Sequence, residues 1–382
     1  MQLQASSLLG SDGLGRFPVL CVSNGFQTHY ERGFCNALVA RGAQVTLISS
    51  DATDVERLSP LIRTKNLRGS QDPKRPKWKK LLNMIRYHLS LLALAPASRG
   101  SIVHMIGNAD PPLLCGVLEG AWFRLWAKKY VLTVHDLLPH GGHTDFNRFI
   151  HRLVYRLPHV LVAHTERTKS SLSKDFGISP SRIVVMAHGL EPLPIGKPVQ
   201  VTVHEPGSTV QILMFGVTAP YKGIDLLLDS LQRVSFPFEL LIAGFCVNDE
   251  YRTQLRELIA AFPEPQRIRW RDAFIPDHEM AAMFDQADFL ALPYRRIDQS
   301  GVLFQALRFG LPVVATRVGA FEDYVSEEVG ELAAAGDLAD LARACEDLVR
   351  RRGSISRERI RKIGRGYEWS ATIGALKLAY SI

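Results

Sequence analysis

Short apolar runs alternate with helical stretches down this chain, and the alternation stops once and then starts again. Pro18 to Asn24, Gln44 to Ser49, Ile102 to Ile106, Tyr130 to Val134, His159 to Ala163 and Ile183 to Ala187 read as strands. The first helix runs from Tyr30 to Arg41 and is stopped by Gly42. Leu190 to Gly207 holds four prolines and no clear periodicity, which reads as an interdomain linker. The pattern resumes with Val210 to Phe215, Glu239 to Ala243, Ile268 to Trp270, Phe289 to Leu292 and Pro312 to Ala315. Strands separated by helices imply parallel sheets covered on both faces. At 382 residues the chain is also too long for one ordinary core. The fold class expected is therefore α/β, with two doubly wound domains and a ligand between the carboxyl ends of both sheets.

Two corners in the second half carry the chemistry. After the strand Phe289 to Leu292, a polar loop leads to Ser300-Gly301, which opens a helix with apolar Val302, Leu303, Ala306, Leu307 and Phe309, stopped by Gly310. A strand, a small-residue turn and a helix N-terminus aim unpaired amides and a positive dipole end at one spot, which favours an anion such as a phosphate. Upstream, the strand Val210 to Phe215 ends at Gly216, and Lys222-Gly223 introduces another amphipathic helix. A lysine there can reach a diphosphate as a point charge. Either corner alone fits an ordinary βαβ unit. Together they favour a shared nucleotide-type ligand.

The formal net charge of +8 is concentrated in one place. Between Arg63 and Arg86 stand nine Lys or Arg against one acid, Asp72. Trp78, Leu81, Leu82 and Ile85 interleave with them at near-helical spacing, so Lys77, Trp78, Lys79 and Lys80 mark a candidate surface for anionic lipid. A solvated basic helix would share that pattern. No recognisable nucleic-acid motif accompanies the charge, so nucleic acid is not an expected partner. The five cysteines are scattered without metal-ligand spacing, as for buried thiols in a reducing cytosol. No secretory signal pattern is present, and Leu81 to Ala97 is interrupted by Arg86 and His88, too broken to span a membrane.

The two corners resemble the retaining glycosyltransferases of family 4, in the branch with a PYKG-type and a QSGV-type loop. Here these read GVTAPYKG (216–223) and QSGV (299–302). VVATRVGAFEDYV (313–325) is similar to the family's strand-Gly-Gly-x-x-Glu-x-Val segment, with Ala320 for the second glycine. Glu331-Leu332 and Gly336-Asp337 fall where such chains have a short hairpin, and Tyr367-Glu368-Trp369-Ser370 matches the aromatic-Trp-Ser signature before the terminal helix. LTVHDLLPHGG (132–142) and VVMAHGLEP (184–192) resemble the strand-His-Asp and strand-His-Gly corners. The resemblance implies the GT-B fold, two Rossmann-like domains facing a central cleft. Residues 1–195 would bind acceptor and carry the basic surface, 196–365 would bind the nucleotide-sugar donor, and a C-terminal helix, 366–382, would pack back on the first domain.

The resemblance further implies transfer of a hexose from a nucleotide-diphosphate sugar to a glycan or lipid-linked acceptor, with retention and without an enzyme nucleophile. Surface polysaccharide or glycolipid assembly is the expected setting, in the cytoplasm or peripherally on the inner face of the cytoplasmic membrane. Lys222 and the amides of Ser300, Gly301 and Val302 match the diphosphate contacts, Gly216 allows close approach, and Gln305 reaches a ribose hydroxyl. His135 and His188 match strand-end histidines toward the sugar. The co-substrate is the nucleotide sugar, with no cofactor and no metal expected. His135, His140 and His143 match no zinc spacing. Two departures stand out: Ala219 replaces the arginine common in the PYKG branch, and Gln305 replaces the second glutamate of the family's pair. Arg295 is the candidate substitute for the missing phosphate contact. The departures also motivate an alternative, a degenerate GT-B protein that binds without turnover, and the fold is shared with sugar-nucleotide epimerases and phosphorylases.

Overall fold

The computed structural model of the protein describes residues 14–25, 27–72, 74–107, 114–138, 144–191 and 208–381. The chain divides into two compact units, Met1–Glu191 with Tyr367–Ile382, and Pro192–Gly366. The expected linker lies mostly outside the described residues, as do His140 and His143.

The first unit is built on seven strands: β1 (Val19–Val22), β2 (Val45–Ser49), β3 (Arg63–Asn66), β4 (Ile102–Met105), β5 (Lys129–Val134), β6 (Val160–Ala163) and β7 (Ile183–Val185). They pair in parallel in the order β3-β2-β1-β4-β5-β6-β7. Alternate residues face opposite sides, as strand geometry requires. Val19, Cys21, Val131 and Val162 enter one core with Phe34 and Leu38 of the helix Thr28–Ala40. Leu20, Val22, Leu132 and Leu161 enter the other, with Tyr87 and Leu91 of the helix Lys77–Ser98, Phe123 of Leu114–Trp126 and Tyr155 of Asp145–Arg156. The C-terminal residues Trp369, Ile373, Leu376, Ala379 and Tyr380 complete the first core. They form short pieces, Trp369–Thr372, Ile373–Ala375 and Leu376–Tyr380, instead of one continuous helix.

The second unit has six strands: β8 (Val210–Phe215), β9 (Phe238–Ala243), β10 (Ile268–Arg271), β11 (Phe289–Leu292), β12 (Val313–Thr316) and β13 (Gly330–Ala333). Their order is β10-β9-β8-β11-β12-β13, all parallel. In each sheet the order reverses beside its first strand, between β1 and β4 and between β8 and β11. In such sheets that reversal is where ligands bind, outside the carboxyl ends of the strands.

Two elements differ from expectation. β3 lies inside the basic segment and is fully exposed at the sheet edge. Arg-Thr-Lys-Asn has no apolar alternation to reveal a strand, and its cations discourage further edge pairing. Glu331-Leu332 belongs to β13, a parallel edge strand against β12, and no hairpin follows. Instead, Asp337 caps the helix Leu338–Arg350 by accepting from the amides of Ala339 and Asp340, both at 3.0 Å. Cys21, Cys35, Cys246 and Cys345 are buried free thiols. Among the described residues no helix is long and apolar enough to cross a membrane.

Candidate active site

The second unit gathers its phosphate-type residues at the β8/β11 reversal. Gly216 follows β8 with φ +90°, which a side chain rarely tolerates. A Cβ placed on Gly216 would lie 3.0 Å from Lys222 Nζ and 3.1 Å from Val302 Cγ2, so these residues share one corner. Behind it, Gly244 (φ +148°) packs so tightly that an added Cβ would collide with the Gly216 carbonyl. Thr218 Oγ1 donates to Gly244 O at 3.0 Å and ties the two strand ends together.

Lys222 ends a single 3-10 turn, Pro220–Lys222, and Gly223 beyond it takes the left-handed conformation (φ +67°) that lets the helix Ile224–Leu231 begin. The lysine is buried. Its ammonium donates to Phe215 O at 3.0 Å and sits 5.2 Å from the centre of the Tyr294 ring. Burial pushes it down to about 8, with Tyr221 pulling weakly the other way. A desolvated cation on a carbonyl and a ring face, with no carboxylate partner in its hydrogen bonds among the described residues, is a strong point for an anion to meet.

The helix Gly301–Phe309 starts at the same corner. Ser300 holds the N-cap position, yet its side chain makes no capping hydrogen bond. A Cβ on Gly301 would meet nothing within 4 Å, so the helix N-terminus opens into free space. Gln305 lies one turn in and accepts from Arg308 at 3.3 Å. Arg295 is used otherwise than expected. Its guanidinium pairs with the Asp225 carboxylate, at 2.8 Å for one contact, and donates to Pro220 O at 3.1 Å. It therefore staples the loop after β11 to the Lys222 turn, and would have to leave Asp225 to meet a phosphate. Ala219, where an arginine was looked for, is buried.

The first unit presents a different chemistry. β5, β6 and β7 each lead into a histidine at the carboxyl end: His135, His164 and His188. Tyr30, on the helix after β1, meets all three rings, with centroids 4.5, 5.6 and 5.1 Å away. His135 Nε2 contacts Ile106 O at 3.3 Å, His164 Nδ1 contacts Met186 O at 2.9 Å, and His164 Nε2 faces His135 Nδ1 at 3.2 Å. His188 Nδ1 lies 2.9 Å from Gly189 O. Burial pushes His135 well below its ordinary range, His164 to about 4 and His188 to about 3, and the neighbouring His164 adds to the fall of His135 and His188. Burial therefore disfavours charge on all three rings, which makes the cluster a poor cradle for a phosphate. His164 was missed in the sequence, although it carries the same signal as His135, a histidine directly after a buried strand.

Among the described residues no group of His, Cys, Asp or Glu is arranged to hold a metal. Lys77, Trp78, Lys79 and Lys80 are exposed in the first turn of the helix Lys77–Ser98.

The family model described as Glycosyltransferase Family 4 matches residues 25–192, and that described as Glycosyl transferases group 1 matches residues 209–351. The chain has the GT-B fold, two Rossmann-like domains, and each half is similar to a glycosyltransferase family model. Among solved structures, a sucrose-phosphate synthase from Thermosynechococcus elongatus superposes with a TM-score of 0.75 at 18% identity, covering 95% of this chain and 98% of that one. Anabaena Alr3699/HepE, solved with UDP-glucose, gives a TM-score of 0.69 at 14% identity over 95% of this chain and 98% of its own. Both likenesses concern the fold of the GT-B chain. A GDP-mannose:glycolipid 4-beta-D-mannosyltransferase of Xanthomonas campestris pv. campestris is 32% identical over 129 residues, which is 33% of this chain and 36% of that protein. The chain thus aligns with only about a third of these curated relatives' length.

Proposed function

We propose that the protein transfers a hexosyl group from a nucleotide-diphosphate sugar to a glycan or lipid-linked acceptor, as a step in surface polysaccharide or glycolipid assembly. The observation that carries this reading is the corner at the β8/β11 reversal, where buried Lys222, left-handed Gly216 and the open helix start at Gly301 meet. In the transfer, the acceptor oxygen bonds to the anomeric carbon while the bond from that carbon to the diphosphate breaks. The electron pair leaves on the diphosphate. Lys222 and the amides of Ser300, Gly301 and Val302 are placed to stabilise that growing charge. Gln305 supplies an uncharged contact for a ribose hydroxyl, and His188, with His135 once its ring is released from Ile106 O or His164, supplies hydrogen bonds for sugar hydroxyls. With retention, the acceptor proton passes to the departing diphosphate oxygen on the same face. No metal or prosthetic group enters this scheme. The working place is the cytoplasm, peripherally at the inner membrane face, with anionic lipid as a further partner.

One finding favours a second stereochemical reading. The curated relatives are named for forming a β-linked mannoside from GDP-mannose. From an α-linked donor that product requires inversion, and then a base must take the acceptor proton.

The test is a thermal-shift screen of the purified protein with GDP, UDP, ADP and their hexose conjugates, GDP-mannose first. A ligand at a hundred times its dissociation constant stabilises a fold by about 2.7 kcal/mol. The proposal expects one base to stand out and Lys222→Ala to abolish the shift. Release of nucleoside diphosphate with acceptor present then separates turnover from binding alone, the outcome that Ala219 and Gln305 leave room for. Product NMR at the anomeric position separates retention from inversion. If no nucleotide shifts the protein, with or without metal, the reading falls.

A further inference from the structure

The turn that carries Lys222 lies against the loop after β11 at three successive residues. A Cβ added to Gly223 would fall 2.1 Å from Pro293 O, so the two backbones touch there. The Tyr294 ring meets the Tyr221 ring edge to face at 5.9 Å, besides facing the Lys222 ammonium at 5.2 Å. Arg295 N donates to Tyr221 O at 2.8 Å. Tyr294 is also held from β12, since Thr316 Oγ1 donates to its carbonyl at 2.5 Å. This seam decides where the ammonium stands relative to Ser300 and Gly301, which lie further along the same loop.

The Arg295 side chain closes the seam. Its two terminal nitrogens donate to the two oxygens of Asp225, in the first turn of the helix Ile224–Leu231, and Nη1 also donates to Pro220 O at 3.1 Å. A guanidinium held on both oxygens of a carboxylate has its orientation fixed as well as its position. The two side chains are 42% and 32% exposed. An ion pair that open to water adds little to stability. What it supplies is geometry.

We propose that Asp225 and Arg295 are positioning residues for the nucleotide diphosphate. Neither touches it; their ion pair holds the Lys222 ammonium in register with the open start of the helix Gly301–Phe309. An ammonium acts as a point charge, so its effect depends on where it is placed. A slip of the turn would carry it off the diphosphate without removing any group that binds there. The inference rests on the nucleotide reading of this corner and adds which residues act through Lys222.

The full chain is titrated calorimetrically with GDP and with UDP, beside Asp225→Asn, Arg295→Gln, their double variant, and each single change combined with Lys222→Met. Asp225→Asn and Arg295→Gln are each expected to weaken binding about tenfold, and the double variant no more than either alone, as for partners in one network. In the Lys222→Met background each is expected to change affinity by about twofold at most, because the group they place is gone. Arg295→Lys keeps the charge without the fork and is expected to bind as weakly as Arg295→Gln, whereas a direct phosphate contact would survive it. The pair is partly exposed, so melting temperatures without nucleotide should stay close to wild type, which controls for folding. If Arg295 meets the phosphate itself, Arg295→Gln weakens binding in the Lys222→Met background too, and Asp225→Asn strengthens it by freeing the guanidinium. Either result overturns the proposal. So does unchanged affinity in both single variants, or a melting temperature that falls in step with affinity. A wild-type chain that binds neither nucleotide removes the nucleotide reading, and the inference falls with it.

Discussion

Lys222 shows how one side chain links burial to binding. It has left water for a site whose hydrogen-bond partner is a carbonyl, so its charge is held at a cost and its proton is released near pH 8. A diphosphate would meet the charged form and hold the proton on. Affinity for a nucleoside diphosphate is therefore expected to be full below pH 8 and to weaken as pH rises through it. Calorimetric titration from neutral pH to about 9 checks this, and Lys222→Met should bind more weakly and lose the pH dependence. The loss expected from removing one charge-assisted contact is about 1.5–3 kcal/mol. Arg295 makes the complementary point. Its sequence position suggested a substitute phosphate contact, and in the fold Asp225, 70 residues away, takes its guanidinium.

At the scale of elements, strand ends are held by glycines that side chains would disrupt. Gly244 has φ +148° and lies against the Gly216 carbonyl. Gly244→Ala is expected to cost about 1–3 kcal/mol through backbone strain and to lower nucleotide affinity, read by denaturant unfolding and by the thermal shift. Trp369 plays the equivalent part in the first unit. Its indole fills the space that Cβ atoms on Gly33 and Gly189 would need, and it packs 4.9 Å from the Tyr30 ring. Trp369→Ala should cost about 3–5 kcal/mol and loosen the histidine cluster through Tyr30, visible as weaker protection of the surrounding amides.

For the whole molecule, acid stability follows from the buried histidines. His164 has a folded value of about 4 against an ordinary 6.5. The unfolded chain therefore takes up a proton that the folded chain refuses over that interval. Stability from the neutral ring is full above pH 6.5 and drains as pH falls toward 4, by about 1.4 kcal/mol per pH unit for each such histidine. Thermal melts between pH 7 and 5 should show this fall, with a shallower slope in His164→Asn. Chain connectivity supplies a second expectation. A chain ending at Gly366 would lack Trp369, Ile373, Leu376 and Tyr380 from the first core, so the first unit should fail to fold while the second retains a cooperative melt.

What the sequence determined by itself was whatever depends on local period and local punctuation. Apolar runs of strand length placed eleven of the strands, Gly42 and Gly310 ended their helices in the left-handed conformation, and the restart at Val210 announced a second sheet. Gly216, Lys222 and Ser300 could be grouped because each closes or opens an element beside a strand end. The rest depends on partners distant in the chain. β3 is a strand because β2 offers it an edge, not because Arg-Thr-Lys-Asn favours one. Arg68 is a core cation because Glu119 and Tyr87 surround it, and Arg295 is occupied because Asp225 comes to meet it. His164 joins His135 because parallel strands deliver their ends side by side. Periodicity records how a segment faces its own core, but the pairing of charges and the desolvation of a lysine are set by whatever folding brings next to them.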